Sequence, residues 1–260
     1  MFLPQLLARL ERGEKLAALT CYDASFARVL GENAVDILLV GDSLGMAVQG
    51  HDTTLGVTLE QMIYHTESVA RGAQGRTFLI ADLPFGSYQE SPQQAFASAA
   101  HLLAAGANMV KLEGGAVMAA GVRFLVERGI PVCGHLGLLP QSVNATGYRA
   151  QARDDHAAAR LIEDAEALEA AGASLLVLEA IPTRLAAEVT QRLGIPSIGI
   201  GAGPHCGGQV LVLNDLLGLT EKPPRFARDF MEGAGNIAAA VRGYVAAVKS
   251  GTFPGPEHGF

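Results

Sequence analysis

Basic side chains are in the minority in this 260-residue chain. Its 19 Lys and Arg face 26 Asp and Glu, a formal net charge of -7 at pH 7. Sequence-independent nucleic-acid binding needs the opposite balance, so that class is set aside. Charged residues of either sign make up only 17%, against 49% hydrophobic, which excludes a disordered chain and predicts a well-buried core. Cysteine is scarce: Cys21, Cys133 and Cys206 are too few and too scattered for a disulfide framework, and a reducing cytosol is the expected setting. No apolar run is long enough to cross a bilayer. The opening stretch MFLPQLLARLERGEK shows neither a basic leader before an apolar run nor a cleavage site. Linkers, low-complexity tracts and blocks of like charge are also missing. Together these absences predict one cytoplasmic domain over residues 1–260, without membrane or nucleic-acid partners.

What the chain does have is short apolar runs at regular intervals. They fall at 16–20, 36–41, 78–81, 109–112, 131–134, 175–178, 197–200 and 210–213. Between them lie segments of helical period with recognisable ends. Thr58 with Gln61 and Ser91 with Gln94 have capping-box spacing, and Pro92 suits a first helical position. Asp154 or Asp155 is expected to cap a helix through 157–171 that ends at Gly172. Thr183 is expected to cap 184–193, closed by Gly194, and a last helix is expected over about 235–249. AAGANMVKLE (104–113) and AAGASLLVLE (170–179) repeat one unit: helix end, glycine stop, strand, terminal glutamate. Nearly continuous apolar strands alternating with helices imply a parallel sheet covered by helices. Eight such units predict a closed (β/α)8 TIM barrel, and no GxGxxG follows the first strand to favour a dinucleotide fold.

A barrel gathers its chemistry at the C-terminal ends of its strands. Five of the apolar runs end there on an ionisable residue: Asp42, Asp82, Glu113, His135 and Glu179. Lys111 shares a strand face with Glu113, since side chains two apart point the same way. Each has a plainer reading alone. Asp42 and Asp82 suit turns or caps, Lys111 and Glu113 suit an ion pair, and a lone histidine suits a structural hydrogen bond. Together they would bury several acids around one cation, an arrangement that repels itself unless protons or a metal neutralise it. The hard oxygens of Asp42, Asp82 and Glu113 suit Mg²⁺, which keeps positions free for water and for a substrate with two adjacent oxygens, such as a 2-oxo acid. Glu179, with no cation beside it in sequence and an apolar run before it, is the expected base for a proton next to the keto group.

The stretches VGDSLGMAVQGHDTTLGVT (40–58), ADLPFGSY (81–88), GANMVKLEGG (106–115), PVCGHLGLLPQS (131–142) and LLVLEAIP (175–182) closely resemble the ketopantoate hydroxymethyltransferase family. IGIGAG (198–203) and SGTFPGPEH (250–258) are similar to it as well. The resemblance implies a (β/α)8 barrel of the phosphoenolpyruvate/pyruvate type. It implies an Mg²⁺-dependent transfer of a hydroxymethyl group from 5,10-methylenetetrahydrofolate to 3-methyl-2-oxobutanoate, giving 2-dehydropantoate in pantothenate synthesis. It places Asp42, Asp82 and Glu113 in or near the metal site. Asp42, Ser43, Asp82, Lys111 and His135 would contact the 2-oxo acid, Glu179 would remove the C3 proton, and the assembly would be a homo-oligomer, a ring-based decamer. The segment NATGYRAQAR (144–153) departs from the pattern, with Ala152 where the family leads one to expect glycine and Ala150 where it leads one to expect a bulkier aliphatic. The nearest alternative is another Mg²⁺-dependent enolate-forming aldolase or lyase acting on a 2-oxo acid. A phosphate site on GIGAG and an inactive scaffold are the remaining rivals.

Overall fold

The computed structural model describes residues 1–260. Eight strands form a closed parallel barrel in sequence order: β1 (Leu16–Thr20), β2 (Ile37–Val40), β3 (Phe78–Asp82), β4 (Met109–Glu113), β5 (Val132–Gly137), β6 (Leu175–Glu179), β7 (Ser197–Ile200) and β8 (Gly208–Leu211). β8 closes on β1 through Leu16 opposite Gly208. Helices precede and follow the strands, except between β7 and β8, which are joined directly: α1 (Leu3–Glu11), α2 (Ala24–Glu32), α3 (Leu44–Ala47), α4 (Leu59–Ala73), α5 (Pro92–Ala104), α6 (Ala119–Val126), α7 (Val143–Thr146), α8 (Asp155–Ala170), α9 (Thr183–Arg192), α10 (Leu213–Leu216) and α11 (Ile237–Ser250). No helix is long and apolar enough to cross a membrane.

The strands read as unbroken apolar runs because both their faces are buried, one by barrel interior and one by helices. Helix starts follow local capping chemistry. Thr58 and Gln61 form the expected reciprocal box on α4, and Asp154, not Asp155, accepts the Ala157 amide on α8. Ser91 caps α5 with Pro92 at its first position, but the Gln94 carboxamide accepts from Glu90 instead of completing a box. Two expectations fail at α9. Thr183 is its first residue, with Pro182 before it, and the Thr183 amide is used by the carbonyl of Phe260. Gly194 does not take a left-handed stop, because the Glu169 carboxylate fixes its amide and that of Ile195. β8 begins two residues before the run that suggested it, and the chain turns into α10 where Thr20 Oγ1 accepts the Leu213 amide.

Strand register sets the level of the side chains at the mouth. Asp82 pairs with Lys111, Glu113 with His135, and Gly137 with Glu179. Gly137 is required there: its φ is +98°, and a side-chain carbon on it would collide with the Glu179 carbonyl. The opposite end of the barrel is pinned by a different set of charges. Asp36, just before β2, takes Arg9 of α1, Lys249 of α11 at 3.0 Å and the Ala17 amide at 2.9 Å.

Candidate active site

The C-terminal ends of the strands open into a cavity of about 1030 Å³. All seven residues singled out from the sequence line it: Asp42, Ser43, Asp82, Lys111, Glu113, His135 and Glu179. Asp42, Asp82, Lys111, Glu113 and His135 are each at most 5% exposed, and Ser43 and Glu179 are part-exposed. The side chains form a chain of contacts around the rim. The Asp42 amide donates to Asp82 Oδ2 at 3.1 Å, and Lys111 Nζ lies 3.1 Å from Asp82 Oδ1. Lys111 Nζ is also 3.3 Å from His135 Nδ1, which lies 3.6 Å from Glu113 Oε1. His135 Nε2 is 3.2 Å from Glu179 Oε2. Tyr22 and Ser43 share a 2.9 Å hydroxyl hydrogen bond beside Asp42.

Burial works against every charge in this ring, and neighbours decide the outcome. The Asp42 carboxyl is pushed well above its usual range by burial and then by the Asp82 and Glu113 carboxylates. Asp82 is raised by burial as well, although Lys111 pulls it back. Burial would raise Glu113, but His135, Lys111 and the Gln141 amide outweigh it and hold it low. Lys111 would lose its proton to burial; three surrounding carboxylates raise it instead, and it stays an ammonium. For His135, burial and Lys111 oppose a positive charge, and Glu113 with Glu179 overcome them. Cys133 shares the Lys111 environment but is pushed by burial to about 12, so its sulfur stays a thiol and not a nucleophile.

With all four carboxylates ionised, the ring would be short of two positive charges even with His135 protonated, which is why burial and mutual repulsion raise Asp42 and Asp82. Two buried polar atoms of the ring lack an aligned hydrogen bond: Asp82 Oδ1 and His135 Nε2. Both have a charged neighbour in reach but not in line. No group of three or more His, Cys, Asp and Glu side chains converges as a metal cage. Asp42 and Asp82 lie together, whereas Glu113 Oε2 is turned to the Gln141 amide at 3.0 Å. Such a set does not fit zinc, but two oxygen donors with a charge deficit of two fit a hard divalent ion that keeps most of its positions for water and substrate.

The sequence reading missed Gln141, which is 5% exposed and holds the ring together. Its Nε2 donates to Asp42 Oδ2 at 2.8 Å and to the Leu83 carbonyl at 2.9 Å, and its Oε1 accepts from Tyr88 at 2.7 Å. Gln141 stands in a turn between β5 and α7, beyond any strand alternation, so only its place inside the PVCGHLGLLPQS stretch pointed to it. The GIGAG stretch makes tight turns, with Gly201 at φ +62° and Gly203 at φ +78°. The segment that departs from the family pattern reaches the cavity through Tyr148, Arg149 and Ala150, and it is tied to β6 by the Gln151 amide on the Ala180 carbonyl at 2.9 Å.

Among solved structures, the fold is similar to a phosphoenolpyruvate phosphomutase from Streptomyces platensis subsp. rosaceus, with TM-score 0.64, 15% identity and coverage of 84% of this chain and 83% of that one. It is also similar to a phosphonopyruvate hydrolase solved with oxalate and Mg²⁺, with TM-score 0.63, 13% identity and coverage of 82% and 81%. At those identities the likeness concerns the barrel alone. Sequence similarity is far closer. The chain is 61% identical over 259 residues to a 3-methyl-2-oxobutanoate hydroxymethyltransferase of Thiobacillus denitrificans, covering 99% of this chain and 98% of the relative. It is 62% identical over 252 residues to the enzyme of the same name from Methylobacillus flagellatus, covering 96% of both. Residues 1–256 match the family described as ketopantoate hydroxymethyltransferase, and with the barrel and the ring of acids at its mouth already described, the chain belongs to that family.

Proposed function

We propose that this chain transfers a hydroxymethyl group from 5,10-methylenetetrahydrofolate to 3-methyl-2-oxobutanoate, giving 2-dehydropantoate, with Mg²⁺ at Asp42 and Asp82. The observation that carries the reading is the buried ring: four acids, one lysine and one histidine, with Glu179 the member left most open to the cavity. A divalent cation would cancel the deficit that burial makes so costly. Glu113, turned to Gln141 and His135, acts one layer behind the two ligands and not as a third one. Bound there, Mg²⁺ supplies positive charge at the keto and carboxylate oxygens of the oxo acid and so acidifies its C3 proton.

The protein's own groups do the rest in this reading. Lys111 adds a fixed positive charge beside those oxygens, and the Ser43 hydroxyl, oriented by Tyr22, contributes a hydrogen bond. Glu179 takes the C3 proton. His135 Nε2, 3.2 Å from its carboxylate, places a charge beside Glu179 Oε2. The resulting C3 nucleophile adds to the one-carbon unit of the folate, and water provides the hydroxyl oxygen as the folate leaves. A homo-oligomer, the ring-based decamer of the family resemblance, belongs to the same reading, and sedimentation of the purified protein checks it.

The decisive experiment follows C3 deuterium uptake by 3-methyl-2-oxobutanoate in D₂O. Glu179→Gln is expected to retain keto-acid binding and to lose exchange by roughly 10²–10⁴-fold, the usual weight of a general base. Exchange at the normal rate removes Glu179 from that role. Supplying either methylenetetrahydrofolate or a free aldehyde to the wild-type protein separates the hydroxymethyltransferase from an aldolase or lyase of the same fold, which would need no folate.

A further inference from the structure

The ring around Lys111 leaves one buried carboxylate of the cavity unused. Asp215, in α10 after β8, lines the cavity and is 6% exposed. Its only hydrogen-bonded side-chain partner is the Thr220 hydroxyl, which donates to Oδ1 at 2.5 Å. No cation compensates it; burial raises its carboxyl above the usual range and Thr220 only partly offsets that. The second carboxylate oxygen has no partner in the chain, yet it is not among the side-chain atoms sealed from solvent, so it is open to the cavity. A buried acid without a counter-charge is costly unless something arrives to pair with it.

The space beside it has a definite character. Leu211, Leu219 and Phe226 also line the cavity, as do the exposed Glu221, Lys222 and Arg225, and the Arg225 Nε donates to the Glu257 carbonyl at 3.0 Å. The whole cavity, at about 1030 Å³, lies at the top of the ~300–1,000 Å³ range of small-molecule pockets, more than a five-carbon oxo acid occupies. What fits is a molecule with a flat, largely apolar body, a pair of adjacent N–H donors at one end and anionic groups at the other. The 2-amino-4-oxo ring of a reduced pterin carries that donor pair, at N3 and the 2-amino group, and a folate ends in glutamate carboxylates.

We propose that Asp215 anchors the aminopyrimidinone edge of the tetrahydrofolate co-substrate through two N–H donors, with Lys222 and Arg225 facing its glutamate tail. This rests on the folate-dependent reading above. The pairing would be strong because it is charge-assisted and shielded from water.

Titration calorimetry with tetrahydrofolate tests it. Asp215→Asn swaps one acceptor for a donor and is expected to weaken binding roughly 10- to 100-fold, the range of a charge-assisted pair. Thr220→Val removes the one internal partner of Asp215 and is expected to change affinity less than about 3-fold, since it leaves the carboxylate in place. Equal losses in the two variants would make Asp215 a prop for the Thr220 turn, and an Asp215→Asn affinity within 3-fold of wild type would likewise overturn the inference. Wild-type protein that fails to bind tetrahydrofolate while still exchanging the C3 proton would overturn the folate reading itself. Should Asp215→Asn not fold, the exposed pair Lys222→Ala with Arg225→Ala decides: it is expected to narrow the preference for triglutamyl over monoglutamyl tetrahydrofolate roughly 3- to 10-fold, more at low salt, and an unchanged preference overturns the inference.

Discussion

Strand β2 carries a buried aspartate at each end, and the two live under opposite rules. Asp36 precedes the strand at the closed end of the barrel and is 2% exposed; Asp42 follows it at the mouth and is 3% exposed. Asp36 is met by the Arg9 guanidinium, the Lys249 ammonium and a backbone amide, so its burial is fully compensated and staples α1 and α11 to the barrel. Asp42 has a Gln141 donor at 2.8 Å, but its nearest charged neighbours include two more carboxylates, and burial with that repulsion drives its carboxyl upward. The same residue type on the same strand therefore holds the fold at one end and strains it at the other. A barrel separates stability from chemistry in this way because all its strand ends of one kind share a face.

The contrast breaks most sharply on activity. Asp42→Asn is expected to lower hydroxymethyl transfer by roughly 10²–10³-fold, the weight of one preorganised charged group at a reacting centre. Asp36→Asn is expected to leave turnover per folded molecule unchanged. A steady-state assay of both variants, corrected for folded fraction by circular dichroism, measures the difference. Similar losses in the two would abolish the distinction between the ends.

Stability reverses the order. Asp36→Asn removes the charge that Arg9 and Lys249 share, and since both cations are about one-third exposed and can rehydrate, the loss should fall near 2–4 kcal/mol and not at the extreme for a sealed pair. Asp42→Asn removes one member of a repelling group while keeping an acceptor for Gln141. It is expected to stabilise the metal-free protein by about 1–2 kcal/mol, a gain obtained by discarding function. Urea denaturation in the presence of a chelator reads both signs.

The dependence on pH sharpens the same point. Asp42 and Asp82 have raised carboxyl values in the folded state, so between the ordinary aspartate value near 4 and those raised values the folded protein binds more protons than the unfolded chain. The stability of the metal-free protein should therefore fall as pH rises through that window. Glu113, held low, works the other way, but its contribution is complete above the ordinary glutamate value and is lost only as pH falls below it. Denaturation midpoints between about pH 5 and 8 should decline for wild type and Asp36→Asn and decline less steeply for Asp42→Asn, in which Asp82 and His135, both raised, still release protons over that range. A rising wild-type midpoint would show that the acids at the mouth do not repel one another as their geometry implies.

Much of this contrast was readable before any coordinates. The eight strands stand out because barrel strands are buried on both faces, and the strand-end acids stand out because a charge after such a run has little local reason to be there. Register then does the rest: Asp82 beside Lys111 and Glu113 beside His135 follow from parallel pairing. What stayed hidden was set by contacts distant in sequence. Gln141 reaches Asp42 from a turn, Thr183 gives its amide to the last residue of the chain, and Asp215 acquires its isolation only when β8 bends into α10. No alternation or cap spacing encodes such meetings.

Ala152 lies between these extremes, since the sequence marks it as a departure and only the backbone explains why. It stands just beyond Gln151, whose amide locks the 144–153 segment onto Ala180 after Glu179, and both alanines adopt left-handed backbone, at φ +53° and φ +48°. An L-residue with a side chain loses about 1–2 kcal/mol in that region. Glycine at 152 would recover this, but it also loosens the unfolded chain, which offsets about 0.4–1 kcal/mol of the gain. Ala152→Gly is thus expected to stabilise by about 0.5–1 kcal/mol, a rise of roughly 1–4 °C in melting temperature for a chain of this size. Because the segment lines the mouth and not the pinned end, the same change made in an Asp36→Asn background should offset that variant's loss by its full amount, whereas a destabilised Ala152→Gly would mean that the methyl, packed against the core, contributes more than its backbone strain costs.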